Sequence, residues 1–143
     1  MRPRKFYPVF VAISALALAS ACSFTTAHIS SLKLGKDKDV TNETTSFGSN
    51  DTIYAVARVS NVPSKVTVKV NLILEKVEGQ PENLLNPGTE KSFDVPSDAS
   101  VRYWLSPPPG GWPPGKYRIE ARMFNESGEQ KDQKTATFTV SGD

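Results

Sequence analysis

Val66-Thr67-Val68-Lys69-Val70-Asn71-Leu72-Ile73-Leu74-Glu75 is the stretch that decides the fold. Val66, Val68, Val70, Leu72 and Leu74 share one side of an extended chain, and Thr67, Lys69, Asn71 and Glu75 share the other. This period of two belongs to a strand with one face in a core and one in water. The segment 51–60 repeats it, with Ile53, Ala55, Ala57 and Val59 inward and Tyr54, Arg58 and Ser60 outward, although Val56 breaks the alternation. Tyr117, Ile119, Ala121 and Met123 alternate with Lys116, Arg118, Glu120 and Arg122, and Ala136, Phe138 and Val140 with Thr135, Thr137 and Thr139. Asn125-Glu126-Ser127-Gly128 joins these two runs and suits an antiparallel hairpin. Further strands are expected at 28–34, 91–95 and 100–105.

No stretch keeps a helical period. Pro63, Pro81, Pro87, Pro96, Pro107 to Pro109, Pro113 and Pro114 punctuate the chain between these runs. Because a proline inside a central strand removes a ladder donor, each is read as marking a loop. About seven short strands with turn signals at intervals of roughly ten residues predict an all-β, antiparallel sandwich rather than a barrel or a parallel sheet.

After its proline-rich corner, Gly115-Lys116-Tyr117-Arg118-Ile119-Glu120-Ala121 resembles the Gly-x-Tyr opening of the sixth strand in immunoglobulin-like and fibronectin-type-III-like domains. With Asp51-Thr52-Ile53-Tyr54 and Ala136-Thr137-Phe138-Thr139-Val140, the resemblance covers residues 28–141. It implies an immunoglobulin-like β-sandwich in which the Tyr117 hydroxyl bonds backbone at the corner. The paired core cysteines of antibody domains are missing.

The N-terminal region predicts where the protein works. Arg2, Arg4 and Lys5 form a positive head, Val9 to Leu18 an apolar stretch, and Ala19-Ser20-Ala21 a small-residue cleavage site, so residues 1–21 read as a secretory signal. Leu18-Ala19-Ser20-Ala21-Cys22 resembles the lipobox of bacterial lipoproteins, in which the cysteine sulfur receives a diacylglycerol. Ala19 stands where that family usually has Leu, and cleavage as an ordinary secreted protein stays open beside it. The resemblance implies that Cys22 is the lipidation site of an envelope lipoprotein. With Ser23 rather than Asp after it, delivery to the outer membrane is implied if the source is Gram-negative. More than one acyl chain is needed for stable anchoring. Residues 22–27 then form the lipidated cysteine and tether, and 28–143 a single sandwich domain.

Removing the leader and its three basic residues leaves 122 residues with 14 Lys and Arg against 15 Asp and Glu, a formal charge of −1. A near-neutral surface lacks the basic field that a phosphate backbone requires, so no nucleic-acid partner is expected. No second apolar run approaches the ~20 residues that span a bilayer. Cys22 is the only cysteine, so the folded part has neither disulfide nor thiol.

Catalytic patterns are sparse. The single histidine, His28, lies at the domain margin, which argues against a nucleophile-histidine-acid set. No Cys/His spacing suits a metal, and Lys36 to Asp39 reads as a solvated charged turn. Gly110-Gly111 leads into no helix and makes no phosphate cradle. No cofactor is expected. The sequons Asn42-Glu43-Thr44 and Asn125-Glu126-Ser127 are read as chance beside a bacterial lipobox.

Two features suit binding. Residues 105–115, Leu-Ser-Pro-Pro-Pro-Gly-Gly-Trp-Pro-Pro-Gly, hold Trp112 in a stiff frame, where its indole either stacks on a ligand or folds back as a lid on the sandwich end. If Val101, Tyr103 and Leu105 face inward, Arg102 and Trp104 face out, and pairing of this fifth strand with the second sets Tyr54 and Arg58 on the same face. That set either meets a partner or covers the sheet by aromatic and cation-π packing. The function expected is a non-catalytic binding or accessory module, membrane-attached by lipid, with an envelope protein or polysaccharide as partner. A hydrolase acting on envelope polysaccharide and a structural or adhesin-type envelope component are the alternatives.

Overall fold

A computed structural model describes residues 26–142; the expected leader of residues 1–21, the expected lipidation site Cys22 and the start of the expected tether lie outside them. Eight strands follow one another without a helix among the described residues: β1 (His28–Gly35), β2 (Ser46–Phe47), β3 (Ile53–Ser60), β4 (Val66–Val77), β5 (Leu84–Val95), β6 (Ala99–Leu105), β7 (Gly115–Phe124) and β8 (Gln130–Val140). They form two sheets, one of three strands in the order β1-β3-β6 and one of five in the order β2-β8-β7-β4-β5.

The alternation seen in the sequence is the reason the sheets face each other. Val66, Val68, Val70 and Leu72 of β4 lie beside Ile119, Ala121 and Met123 of β7, all buried. Ile53, Ala55, Ala57 and Val59 of β3, with Val101 and Tyr103 of β6, come from the opposite sheet into the same core. Each fully buried Val, Leu or Ile contributes about 1.5 to 3 kcal/mol of transfer free energy. Two sheets whose inner faces share one core make a β-sandwich.

Aromatic rings close the end that holds the β6–β7 connection. Tyr117 stacks on Phe138 with ring centroids 5.1 Å apart, Phe47 meets Phe138 edge-on at 5.3 Å, and Trp112 meets Tyr117 edge-on at 5.9 Å. The Tyr117 hydroxyl donates to the Pro113 carbonyl at 2.5 Å, fixing the proline-rich corner to β7. Gly115 is required at that corner, since its φ is +151° and a Cβ there would lie 2.5 Å from the Lys76 carbonyl oxygen.

The larger sheet is mixed, which corrects the expectation of a purely antiparallel sandwich of about seven strands. Ser46 and Phe47 run parallel to Thr139 and Val140, a pairing that Phe47 secures by burying its ring. Two residues carry no readable period. Pro87, expected in a loop, lies within β5 at the sheet edge, beside the irregularity opposite Val70 and Leu72. A missing amide is tolerated there because an edge strand needs no donor on its outer side. β8 begins at Gln130, before its apolar alternation starts.

Tyr117→Phe keeps the ring and removes one buried bond, so it should lower stability by ~1 kcal/mol, read as a lower urea midpoint at unchanged slope. Burial pushes the Tyr103 and Tyr117 hydroxyls up to about 12 from the ordinary 10. The folded state therefore keeps these protons after the unfolded chain has lost them. The stability they confer is complete below pH ~10 and is lost as pH rises through ~12. Alkaline unfolding of the double variant Tyr103→Phe, Tyr117→Phe should show a shallower pH dependence across that window.

Candidate functional site

β6 pairs with β3 so that Tyr54 stands across from Trp104, Val56 from Arg102 and Arg58 from Ser100. Trp104 is 48% exposed on the solvent face of the three-stranded sheet, with Tyr54 half-buried beside it. The Lys91 ammonium, from the other sheet, lies 4.8 Å from the Trp104 ring centroid. Such a contact at an exposed site contributes about 0.5 to 1 kcal/mol.

Lys91 reaches this ring because β5 is pinned to β6. The Tyr103 hydroxyl donates to the Thr89 carbonyl at 2.7 Å across the gap between the sheets. The Thr89 hydroxyl accepts the Leu72 amide at 3.0 Å and donates to the Asn86 carbonyl at 2.6 Å. Thr89 therefore takes up the backbone groups freed by the irregularity in β5, and Lys91 follows two residues later.

Arg102 directs Nε and Nη2 at one oxygen of Asp39, at 3.2 and 3.0 Å. Both side chains are exposed, so the pair contributes no more than about 1 kcal/mol. Asp39 sits on the turn after β1, where Asp37 accepts both the amide and the hydroxyl of Thr41. The Thr41 amide, ahead of its hydroxyl, holds the Asp37 carboxyl below its ordinary value against the opposing effect of desolvation. Next to Asp39, Val40 has a φ of +50°, which a β-branched residue adopts at a cost of about 1 to 3 kcal/mol. The strain sits where the chain turns to bring Asp39 to Arg102.

Arg58 shares the face but not the cluster. It lies four residues from Tyr54 on β3, about 13 Å along the strand. Trp112 is in the core, not on a binding surface: it is 8% exposed, its indole N–H donates to the Asp51 carbonyl at 2.8 Å, and its own amide donates to Ser49. Of the two roles the sequence allowed, the ring takes that of a lid. Asp51 is itself braced by the Gly48 amide at 2.7 Å and by Lys36 at 3.3 Å. The Gly48 bond, ahead of Lys36, holds its carboxyl below the ordinary value.

Sequence reasoning found Tyr54, Arg102 and Trp104 but missed Lys91 and the role of Asp39. Lys91 carries no local signal, since only the docking of β5 against β6 brings it to the ring. Elsewhere on the described surface, Lys69 and Arg122 flank the Phe124 ring at 5.3 and 5.6 Å beside an open depression of about 370 Å³ lined by Lys65, Thr67 and Glu126. Among the described residues no group of His, Cys, Asp and Glu is placed to hold a metal ion.

No family model matches the chain, and no curated protein matches it. Among solved structures, it is similar to a beta-glucosidase from Listeria innocua in complex with glucose, and to a mutant of that enzyme in complex with laminaribiose. In each case the identity is 12%, the TM-score 0.44, and the match covers 78% of this chain and 16% of the other. The chain thus spans about a sixth of the length of those proteins, and a likeness at this level assigns no activity.

The two tryptophans should separate in a thermal melt. Trp112→Phe leaves the Asp51 carbonyl without its buried donor and should cost about 1 to 3 kcal/mol, whereas Trp104→Ala should cost less than about 1 kcal/mol.

Proposed function

We propose that this chain is a lipid-anchored protein of the bacterial cell envelope whose immunoglobulin-like sandwich is a non-catalytic binding module. The observation that carries the binding reading is the half-exposed Trp104, flanked by Tyr54 and capped by Lys91 on the open face of the smaller sheet. Large rings and planar cations predominate at interface hot spots because they bury much area at modest entropy loss.

The immunoglobulin-like reading is supported by the strand order. β1, β3 and β6 take the places of strands A, B and E, and β8, β7, β4 and β5 those of G, F, C and C′. The hydroxyl bond of Tyr117 to Pro113 matches the tyrosine corner of that fold.

Anchor and site lie at opposite ends under this reading. His28, where the tether joins the domain, pairs with Ser60, while Gly35 at the other end of β1 pairs with Tyr54. Seven residue steps of β1 separate the two rows by about 24 Å. The five tether residues, 23–27, add at most about 18 Å. A lipid on Cys22 would hold the His28 end near the membrane and present Trp104 away from it.

The anchor is tested by metabolic labelling: the full chain should incorporate labelled palmitate and Cys22→Ala should not. An unlabelled wild-type protein recovered without detergent rejects it. Once a partner is isolated from native envelope, Trp104→Ala should weaken its binding by about 2 kcal/mol with a nearly unchanged melting temperature. Intact binding by that variant rejects the site.

A further inference from the structure

The two sheets have four edge strands, and three are protected. β1 carries a bulge between Ile29 and Ser31, its Ile29 amide is taken by the Asp132 carboxylate at 2.8 Å, and its Leu34 carbonyl by the Thr44 amide at 2.9 Å. β2 has only two residues. β5 contains Pro87, Gly88 and an irregularity, followed by Glu90, Lys91 and Asp94. These are the devices by which natural proteins blunt an open edge.

β6 has no bulge, proline or glycine and no backbone group taken from outside its sheet among the described residues; its one charged side chain, Arg102, is held by Asp39. Its seven residues pair with β3 in unbroken register from Ala99 opposite Val59 to Leu105 opposite Ile53, and contain neither proline nor glycine. Among the described residues only β3 hydrogen-bonds its backbone. From β5, the Thr89 carbonyl meets the Tyr103 hydroxyl at 2.7 Å and the Lys91 ammonium reaches the Trp104 ring at 4.8 Å. Among the described ion pairs Lys91 has no carboxylate, so its ammonium is held by the indole alone. A flexible side chain is a cover that a better-bonded group displaces.

We propose that β6 accepts an extended segment of a partner polypeptide as an added strand, with an acidic side chain of that segment taking Lys91 and another side chain packing on Trp104. Main-chain hydrogen bonds would supply the affinity and the alternate side chains the selectivity. The charge follows from the unpaired Lys91, because Arg102 already has Asp39. A second copy of this chain fits poorly. Two β6 edges joined with Trp104 on one common face must run antiparallel, and β1 runs parallel to β6, so the two His28 ends would point in opposite directions. Short tethers in one membrane forbid that. The proposal rests on the reading of Trp104 as a contact residue and adds the class of partner.

The test uses the full chain in non-ionic detergent micelles and a blocked peptide matching β6 in length, alternating Thr and Val with one central Glu. Amide hydrogen exchange is followed residue by residue. With peptide in excess, exchange should slow at those β6 amides that β3 does not engage, and a Lys-for-Glu peptide should require about fivefold more for the same slowing. Lys91→Ala should abolish that difference while keeping the protection. Slowing that appears without peptide as protein concentration rises would mean a second copy and overturn the proposal. So would absent protection at β6, or protection at the β1 or β5 edge instead. If Trp104→Ala leaves β6 protection intact, strand addition stands and the Trp104 reading fails. If a sugar oligomer quenches Trp104 fluorescence while no peptide protects β6, the Trp104 reading stands and strand addition fails.

Discussion

One hydrogen bond, from the Tyr103 hydroxyl to the Thr89 carbonyl, fixes the side of the sandwich on which the candidate site lies. Tyr103 points into the core from the smaller sheet, and Thr89 belongs to the edge of the larger one. Their contact is the direct polar link between β6 and β5, and it holds an otherwise irregular strand at a set distance. Leaving that phenol buried without a partner would cost about 1 to 3 kcal/mol, so the irregularity in β5 is kept in a single arrangement. Lys91 reaches Trp104 because of it, and the partial covering of the β6 edge follows.

The two ends of the sandwich are built differently. At the end where His28 opens β1 the chain closes with turns, such as Asn125 to Glu129, in which the Asn125 side chain and backbone take both ends of the loop. At the other end Trp112, Tyr117, Phe138 and Phe47 form a continuous aromatic column, each pair contributing about 0.5 to 1.5 kcal/mol beyond its buried area. The column ties the proline-rich connection, β2, β7 and β8 together. Tyr54 and Trp104 occupy the row next to it, so the candidate site sits on the more rigidly braced end.

Most of the fold was legible because burial and strand period coincide. Ile53 to Val59 and Val66 to Leu72 announce their inward faces, and the pairing of the fifth predicted strand with the second correctly placed Tyr54 and Trp104 on one outer face. What escaped was set by tertiary contact. Ser46 and Phe47 become a strand only because Val140 and Phe138 offer a ladder and a pocket for the ring. Pro87 reads as a breaker, yet an edge accepts it. Asn71 is outward by its period and nonetheless 2% exposed; Glu120 stands across from it on β7 and pairs with Arg122 at 3.8 Å. Arg58 was grouped with Trp104 by facing alone. Its distance along the strand is a matter of register, which alternation does not encode.

A half-exposed tryptophan is not by itself a site, since apolar atoms contribute more than half of an ordinary protein surface. Trp104 differs through what surrounds it. Tyr54 supplies a second ring, Lys91 a cation that no carboxylate among the described residues meets, and its own strand β6 a row of main-chain groups bonded, among the described residues, on one side only. Each feature taken alone is a minor loss of stability that a purely structural sheet would have removed, by a proline in β6, an acid beside Lys91 or a polar residue at 104. Edges β1, β2 and β5 show that the same chain applies such protections elsewhere. The three omissions fall within one short stretch of surface at the end away from His28, and it is their coincidence, not any one of them, that supports the proposed partner surface.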